Sequence, residues 1–288
     1  MANINKDNYN IKIKFWGTRG SIPTPGKYFL KYGGNTPCVE VRCGDTILIF
    51  DAGTGLRELG ASLIHEFGAT SREYNILVSH THWDHIQGFP FFHMAYIPGN
   101  KISFYGGNSV SALENLIYGQ MDKEYFPVTV FELASDVVFN TLTENPFYIN
   151  DVKIYFTHLI HPALSLGFRI EYKGKVVVYA TDSEISDDPE IEKINERNIG
   201  SLIKDADILI ADCQYTDEEY KNKNGWGHTA INKTVEISNK FNVKNLFAFH
   251  HDPLRTDEEL DIMLYNAGKL VKPPMKLYGA IEKKSIYL

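Results

Sequence analysis

The chain has 288 residues, 43% hydrophobic and 23% charged, with a formal net charge of −7. Such a length and apolar fraction can bury a sizeable core, and length alone allows one or two domains. The negative balance argues against a long nucleic-acid polymer as substrate, since binders of such polymers usually carry a basic face or stripe, and no apolar run approaches the ~18 residues of a membrane span.

The opening MANINKDNYN is polar and lacks the apolar core of a secretory signal. Residues 1–10 are expected as a flexible arm, followed by one domain over 11–288. IKIKFWG from residue 11 alternates like a half-buried strand and runs into a Gly/Pro-rich loop. VEVRCGDTILIFDAGTG reads as a hairpin turning at Gly44-Asp45, and Gly53-Thr54-Gly55 then lead into an amphipathic helix with Leu56, Leu59 and Leu63 on one face.

YNILVS, 74–79, reads as a buried strand, and it runs directly into His80-Thr81-His82-Trp83-Asp84-His85. An extended backbone sets His80 and His82 on one side. A helix beginning there would make Asp84 and His85 neighbours in its first turn. One short segment thus offers two groups of ligands, which suits a pair of metal ions better than one. Phe89, Phe91, Phe92 and Tyr96 follow; core packing is the expectation for them, a pocket for a base the alternative. A helix is expected over 109–121, with Leu113, Leu116 and Ile117 inward. Strands are expected over 128–139, 147–156, 166–172 and 175–180, then a helix over 190–204 and a strand over 208–211. A helix over 229–241, the strand NLFAF and a helix over 256–270 complete the chain. No low-complexity linker interrupts the span from Asp84 to His250, which favours a single domain. Cys38, Cys43 and Cys213 cannot all pair and show no CxxC spacing. They read as small core-lining residues in a reducing, cytoplasmic setting.

HTHWDH is followed by His161 opening HPALSLGFRI, by Asp182 ending the apolar run VVVYATD, and by His250 in NLFAFHHDP. This order resembles the metallo-β-lactamase fold superfamily over nearly the whole chain, from about Ile11 onward, and the HPALSLGFRI stretch is similar to HxxxSxGYRI of its ribonuclease Z branch. The resemblance implies an α/β (α+β) four-layer αββα sandwich of two similar halves, with metals at one edge. It implies that His80, His82 and His161 hold one divalent ion, that Asp84, His85 and His250 hold another, and that Asp182 bridges them. Nitrogen and carboxylate ligands without thiolate suit zinc, manganese or iron and do not select among them. Two such ions about 3.5–4 Å apart can acidify a shared water and stabilise both the entering and the leaving oxygen.

Other histidines compete for these places. Strand alternation turns His158 away from His161, and only one of His250 and His251 can point inward; the roles of His158 and His251 stay open. His65 and His93 have no motif around them and read as surface or packing residues. Gly225-Trp226-Gly227-His228-Thr229-Ala230 stands where ribonuclease Z-like phosphodiesterases carry an HST- or HEAT-type motif. By that resemblance His228 protonates the leaving oxygen and Asp212 is its acidic partner, so His228, Asp212 and Asp84 are the expected catalytic residues. Thr229 is also a candidate helix N-cap. Arg19, Asn35 and Thr36 lie in loops that could face the metals and contact a phosphate.

The leading expectation is a phosphodiesterase that acts on a small cyclic nucleotide or cyclic sugar phosphate through the water shared by the metals. The Gly/Pro-rich basic insertion with which ribonuclease Z grips tRNA has no counterpart here. The alternative is a non-hydrolytic di-iron protein that binds O2 or senses redox state and signals to a protein partner. Flavodiiron proteins share the fold, but they usually have Glu where this chain has His82 and carry an additional flavin domain. Self-association is left open.

Overall fold

The alternation of IKIKFWG is realised in β1 (Ile11–Gly17), where Ile11, Ile13 and Phe15 are fully buried. A computed structural model describes residues 9–186 and 188–288. β1 pairs antiparallel with β2 (Cys38–Cys43), which turns through Gly44 at φ 57° into β3 (Thr46–Phe50). Helix α1 (Gly55–Phe67) crosses over to β4 (Glu73–Leu77), parallel to β3. The short α2 (Trp83–Ile86) and an aromatic stretch lead to β5 (Lys101–Gly106), and α3 (Val110–Tyr118) leads to β6 (Asp136–Thr141), both strands again parallel.

The second half opens with β7 (Phe147–Ile149), β8 (Val152–Leu159), β9 (Ser165–Tyr172) and β10 (Lys175–Ala180), an antiparallel meander. A helical run, α4 (Pro189–Asn195) through a π turn (Glu196–Gly200) to α5 (Ser201–Ile203), then delivers β11 (Ile208–Asp212) parallel to β10. After α6 (Asp217–Tyr220) and α7 (Ile231–Lys240) come β12 (Asn245–Phe249), α8 (Asp257–Gly268), β13 (Lys276–Gly279) and β14 (Ser285–Tyr287).

Two seven-stranded sheets result, ordered β14-β1-β2-β3-β4-β5-β6 and β13-β12-β11-β10-β9-β8-β7. One core cluster takes residues from both, among them Phe15, Val41 and Phe50 with Phe168, Tyr179 and Phe249, so the sheets face each other. A second cluster joins the outer face of the first sheet to Leu56, Leu59, Leu113 and Ile117 of its helices, and a third joins the second sheet to Val235 and Leu260. The layers therefore run helix, sheet, sheet, helix, the order implied by the resemblance. The parallel strands of both sheets end at the same edge of the sandwich, where open α/β sheets place ligands.

Several expectations are corrected. Leu116 is 42% exposed; α3 buries Leu113 and Ile117 at i, i+4 spacing, and Leu116 falls just off that stripe. The strand expected over 128–139 starts only at Asp136, because Thr129 and Glu132 form a capping box around a 3-10 turn. The strand expected over 147–156 is a hairpin that turns at Asn150, φ 53°. β5, β13, β14 and α6 were not anticipated. The N-terminal arm falls outside the described residues except for Tyr9 and Asn10; the Asn10 amide donates to the Leu288 carbonyl at 2.9 Å, and Tyr9 packs on Tyr287. Among the described residues no helix is long and apolar enough to cross a membrane. All three cysteines are buried free thiols, and burial raises the pKa of each.

Phe168 is fully buried between the sheets, 5.7 Å from the ring of Phe50. Phe168→Ala should destabilise the protein by about 3–5 kcal/mol, and Leu116→Ala by no more than about 0.5 kcal/mol. Urea denaturation followed by circular dichroism checks both; equal losses would contradict the packing described.

Candidate metal centre

β4 ends at Leu77, and the turn that follows sets His80 and His82 with ring centroids 4.5 Å apart. His82 is the extended N-cap of α2, so Asp84 and His85 occupy its first turn, as the motif suggested. From the opposite sheet, His161 follows β8, Asp182 follows β10, Asp212 closes β11 and His250 follows β12. Asp182 and His250 have φ of 48° and 57°, a left-handed conformation that Asp and His tolerate better than most residues.

Ligand atoms of His80, His82, His161 and Asp182 lie within 4.8 Å of one another. Those of Asp84, His85 and His250 form a second such group, and Asp182 also groups with His250, His228 and Asp212. Asp182 stands between the first two: Oδ2 is 3.6 Å from His80 Nε2, while Oδ1 is 3.3 Å from Nε2 of both His85 and His250. Asp84 Oδ2 is 3.2 Å from the same two nitrogens and accepts from the Ser21 amide at 2.8 Å.

Acceptors on the far side of each ring decide which nitrogen faces inward. His85 Nδ1 donates to Asp51 at 2.8 Å, His161 Nδ1 to the Gly227 carbonyl at 3.0 Å, and His250 Nδ1 to Gln214 Oε1 at 3.0 Å. Ser79 Oγ donates to Asp51, which leaves it to accept from His80 Nδ1 at 3.1 Å. An imidazole that carries its proton on Nδ1 presents an unprotonated Nε2, the form that binds metal. Nε2 of His80 and of His85 are buried without a hydrogen-bond partner among the described residues. Buried polar atoms seldom go unsatisfied. Orphaned lone pairs converging on carboxylates are what a divalent cation would satisfy, so the donor set fits a metal.

The charges agree with this. Burial acts to raise the Asp84 and Asp182 carboxyls, but the surrounding histidines hold both well below the usual range. Burial lowers His80, His82 and His161, which keeps them neutral. Burial also works against the charged form of His85, but Asp84, Asp182 and Asp51 outweigh it and raise the ring well above its ordinary value. A bound cation would replace that proton.

His228 lies at the border of the cluster. Its Nδ1 donates to Asp212 Oδ2 at 2.7 Å, and its ring stacks on His250 with centroids 4.9 Å apart. Asp212 is held in turn by the Gln214 and Thr229 amides at 3.1 and 3.2 Å. Burial opposes the charged form of His228, yet Asp212, then Asp182 and Asp84, push it up to about 9. Thr229 is not the N-cap of α7, which begins after Ala230; its hydroxyl instead donates to the Ser183 carbonyl and accepts from the Ile185 amide.

The three loop residues are not brought to the cluster as phosphate contacts. Arg19 is fully buried and donates to the Gly33, Asp252 and Arg255 carbonyls, so its guanidinium is committed to backbone. Asn35 binds Glu282 and Thr54. Thr36 is fully buried and accepts from the Thr54 amide at 2.8 Å. His251 also turns away: Nε2 donates to the Ala280 carbonyl, and burial lowers its pKa to about 3. His158, His65 and His93 are exposed. Phe89 and Phe92 are core residues, whereas Phe91 is exposed against Phe126.

Sequence reasoning missed Asp51, Gln214 and Glu184. Asp51 accepts from the Ser79 amide, the Ser79 hydroxyl, Tyr179 Oη and His85 Nδ1, all at 2.7–2.8 Å. A signal was present: TILIFD is an apolar strand ending on a carboxylate, as are VVVYATD and ILIAD.

The family model described as beta-lactamase superfamily domain matches residues 46–251. The chain is 24% identical over 306 residues to a Ribonuclease Z of Thermoplasma acidophilum, covering 90% of this chain and 92% of that one. Among solved structures it resembles the metallo-beta-lactamase fold protein YhfI from Bacillus subtilis, with TM-score 0.70, 18% identity, and coverage of 96% and 98% of the two chains. The short form of human tRNase Z superposes with TM-score 0.64 at 18% identity, again over 96% and 98%. At these identities the structural likeness speaks for the fold.

Removing Asp51 leaves His85 without the acceptor that orients it. Asp51→Asn should keep the fold and lower zinc affinity about 10–100-fold, the usual effect of losing such a partner. Competition with a chromophoric chelator measures this; unchanged affinity would mean that His85 does not depend on Asp51.

Proposed function

The chain belongs to the beta-lactamase superfamily, in its metal-dependent hydrolase fold, and on that premise we propose that it is a phosphodiesterase acting on a small phosphodiester such as a cyclic nucleotide or cyclic sugar phosphate. Two divalent cations, when bound, would supply Lewis acidity and an acidified water. His80, His82 and His161 would hold one, Asp84, His85 and His250 the other, and Asp182 would serve both. The donor set admits zinc, manganese or iron.

The observation that carries the reading is the buried His228–Asp212 pair beside Asp182. A pair built for proton transfer is of use to a reaction with a leaving oxygen. Asp212 holds the Nδ1 proton and stabilises the imidazolium, and Nε2 is left to give its proton to the departing alkoxide. Cations next to the ring would pull its pKa from about 9 towards neutrality, where a histidine donates readily.

A small substrate is supported by the net charge of −7 and by two exposed indoles, Trp83 and Trp226, the sequence neighbours of His82 and Gly227. An exposed indole offers a flat apolar face to a compact ester with a planar substituent. The relatives named Ribonuclease Z favour a second reading, an RNA phosphodiester. The His228–Asp212 pair favours the hydrolytic reading over an oxygen-binding di-iron role, which involves no leaving alkoxide. The buried free thiols support a reducing, cytoplasmic setting, and the core shared between the sheets supports one domain over 11–288.

Elemental analysis should find two metals per chain. Asp182→Ala should weaken both, whereas His82→Ala and His161→Ala should each weaken the same one; loss of a single metal in Asp182→Ala would make Asp182 a terminal ligand. A panel of cyclic diesters, bis(p-nitrophenyl) phosphate and RNA tests the reaction itself. Cleavage of RNA alone would select the second reading. Iron in the purified protein, with a visible band on exposure to air and no turnover, would select the oxygen-binding role.

His228→Ala should retain both metals and lower turnover of alkyl diesters by roughly 10²–10⁴. The deficit should shrink for nitrophenyl esters, whose leaving group needs no proton. Equal losses on both would remove His228 from the acid role.

A further inference from the structure

Glu184 lies two residues beyond Asp182, is only 5% exposed, and has no cation against its carboxylate in any ion pair among the described residues. A buried carboxylate needs compensation. Here it comes from the end of α6 and the loop after it: Oε1 accepts from the Gly225 amide and from Tyr220 Oη, both at 2.7 Å, and Oε2 accepts from the Gly227 amide at 2.8 Å. Gly225 and Gly227 have φ of 85° and 84°, a conformation that L side chains rarely adopt. With both amides turned to one side, the loop makes an anion-binding concavity of the kind that elsewhere holds phosphate. Its anion is a side chain of the same protein.

The loop so clasped holds two functional groups. The Gly227 carbonyl is the acceptor for His161 Nδ1, and His228 is the next residue. A Cβ on Gly227 would stand 2.1 Å from His161 Nδ1, so the backbone lies directly against the ring. Glu184 reaches the same region through its own backbone: its amide donates to the Ile160 carbonyl at 2.8 Å, immediately before His161. Its neighbours stitch the loop further, the Ser183 carbonyl accepting from Thr229 Oγ and the Ile185 amide donating to it at 2.9 Å.

We infer that Glu184 is a positioning residue of the site, which by clasping the Gly225–Gly227 loop sets the His161 tautomer and the place of His228 relative to Asp182. The inference rests on the metal-dependent reading for its consequence in catalysis, but the clasp itself can be read in the metal-free protein. Glutamine is the informative substitution. An amide has one acceptor oxygen, which can keep Gly225 and Tyr220, while its NH2 would face the Gly227 N–H, a donor against a donor.

The test uses the full chain. In the metal-free wild type, long-range 1H–15N spectra of the imidazoles should show His161 protonated at Nδ1; in Glu184→Gln both tautomers should appear, with the His85 signals unchanged. Zinc titration against a chromophoric chelator should show a loss of about 10–100-fold at one site in Glu184→Gln. In a His161→Ala background Glu184→Gln should add little, because the two act on one element. Should Glu184→Gln fail to fold, Tyr220→Phe removes one of the three hydrogen bonds and should move the same signals less. A folded Glu184→Gln, or a Tyr220→Phe where that must stand in, with the His161 tautomer and the zinc affinity of the wild type would overturn the inference. Absence of diester turnover with the tautomer shift present would count against the proposed reaction and leave the clasp standing.

Discussion

Hydrogen bonds to histidine Nδ1 are the interactions on which the rest of the site depends. An imidazole can offer a lone pair from either ring nitrogen, and a cluster of rings free to choose would present a mixture of donors and acceptors. Here Asp51, Ser79, Gln214 and the Gly227 carbonyl each take one Nδ1 proton, so Nε2 of His85, His80, His250 and His161 is the nitrogen turned inward. These acceptors lie in four loops, two after strands of the first sheet, one after a strand of the second and one between α6 and α7. Each ring and its acceptor belong to the same half of the chain, and the register of one sheet against the other decides instead whether the inward nitrogens of His80 and His85 meet Asp182.

That register is kept by the core between the sheets. Phe50 precedes Asp51 and packs on Phe168 and Tyr179, and Tyr179 also donates its hydroxyl to Asp51. One aromatic side chain thus serves the packing and the acceptor that orients His85. The same edge carries backbone held away from the regular regions: Asp51, Asp182 and His250 all have positive φ, at 60°, 48° and 57°. Such residues cost roughly 1–3 kcal/mol each and persist where the surroundings over-determine them. At the ends of β3, β10 and β12 they turn the chain sharply enough for the side chain to meet the opposite sheet.

Buried charge is handled in two ways at this edge. Asp84 and Asp182 are surrounded by histidines, two of which, His80 and His85, have inward nitrogens without a hydrogen-bond partner among the described residues, an arrangement that favours a cation. Glu184, almost as buried, is met by neutral donors from the end of α6 and the loop after it and needs none. Arg19 is the cationic counterpart, spent entirely on backbone carbonyls near Asp257. Burial by itself therefore did not distinguish a ligand from a clasp or a strut; the partners did.

The sequence by itself determined the residues that carry local patterns. HTHWDH after an apolar strand is read from period and spacing, because strand alternation and a helix start dictate where those side chains go, whereas Asp182 and Asp212 were picked out by the resemblance. The paired sheets and their flanking helices were legible through the resemblance that these motifs carry. Only the tertiary structure decided which loop residues reach the site. Arg19, Asn35 and Thr36 sit in loops that looked available, but loop direction is set by packing, and packing turned them inward to Gly33, Glu282 and Thr54. Asp51 and Glu184 gave the opposite outcome, since their importance lies in long-range hydrogen bonds to His85 and to Gly225 and Gly227 that no local period encodes. The short strands β13 and β14 were equally silent, because an edge strand is defined by the neighbour it pairs with, and that neighbour lies far away in sequence.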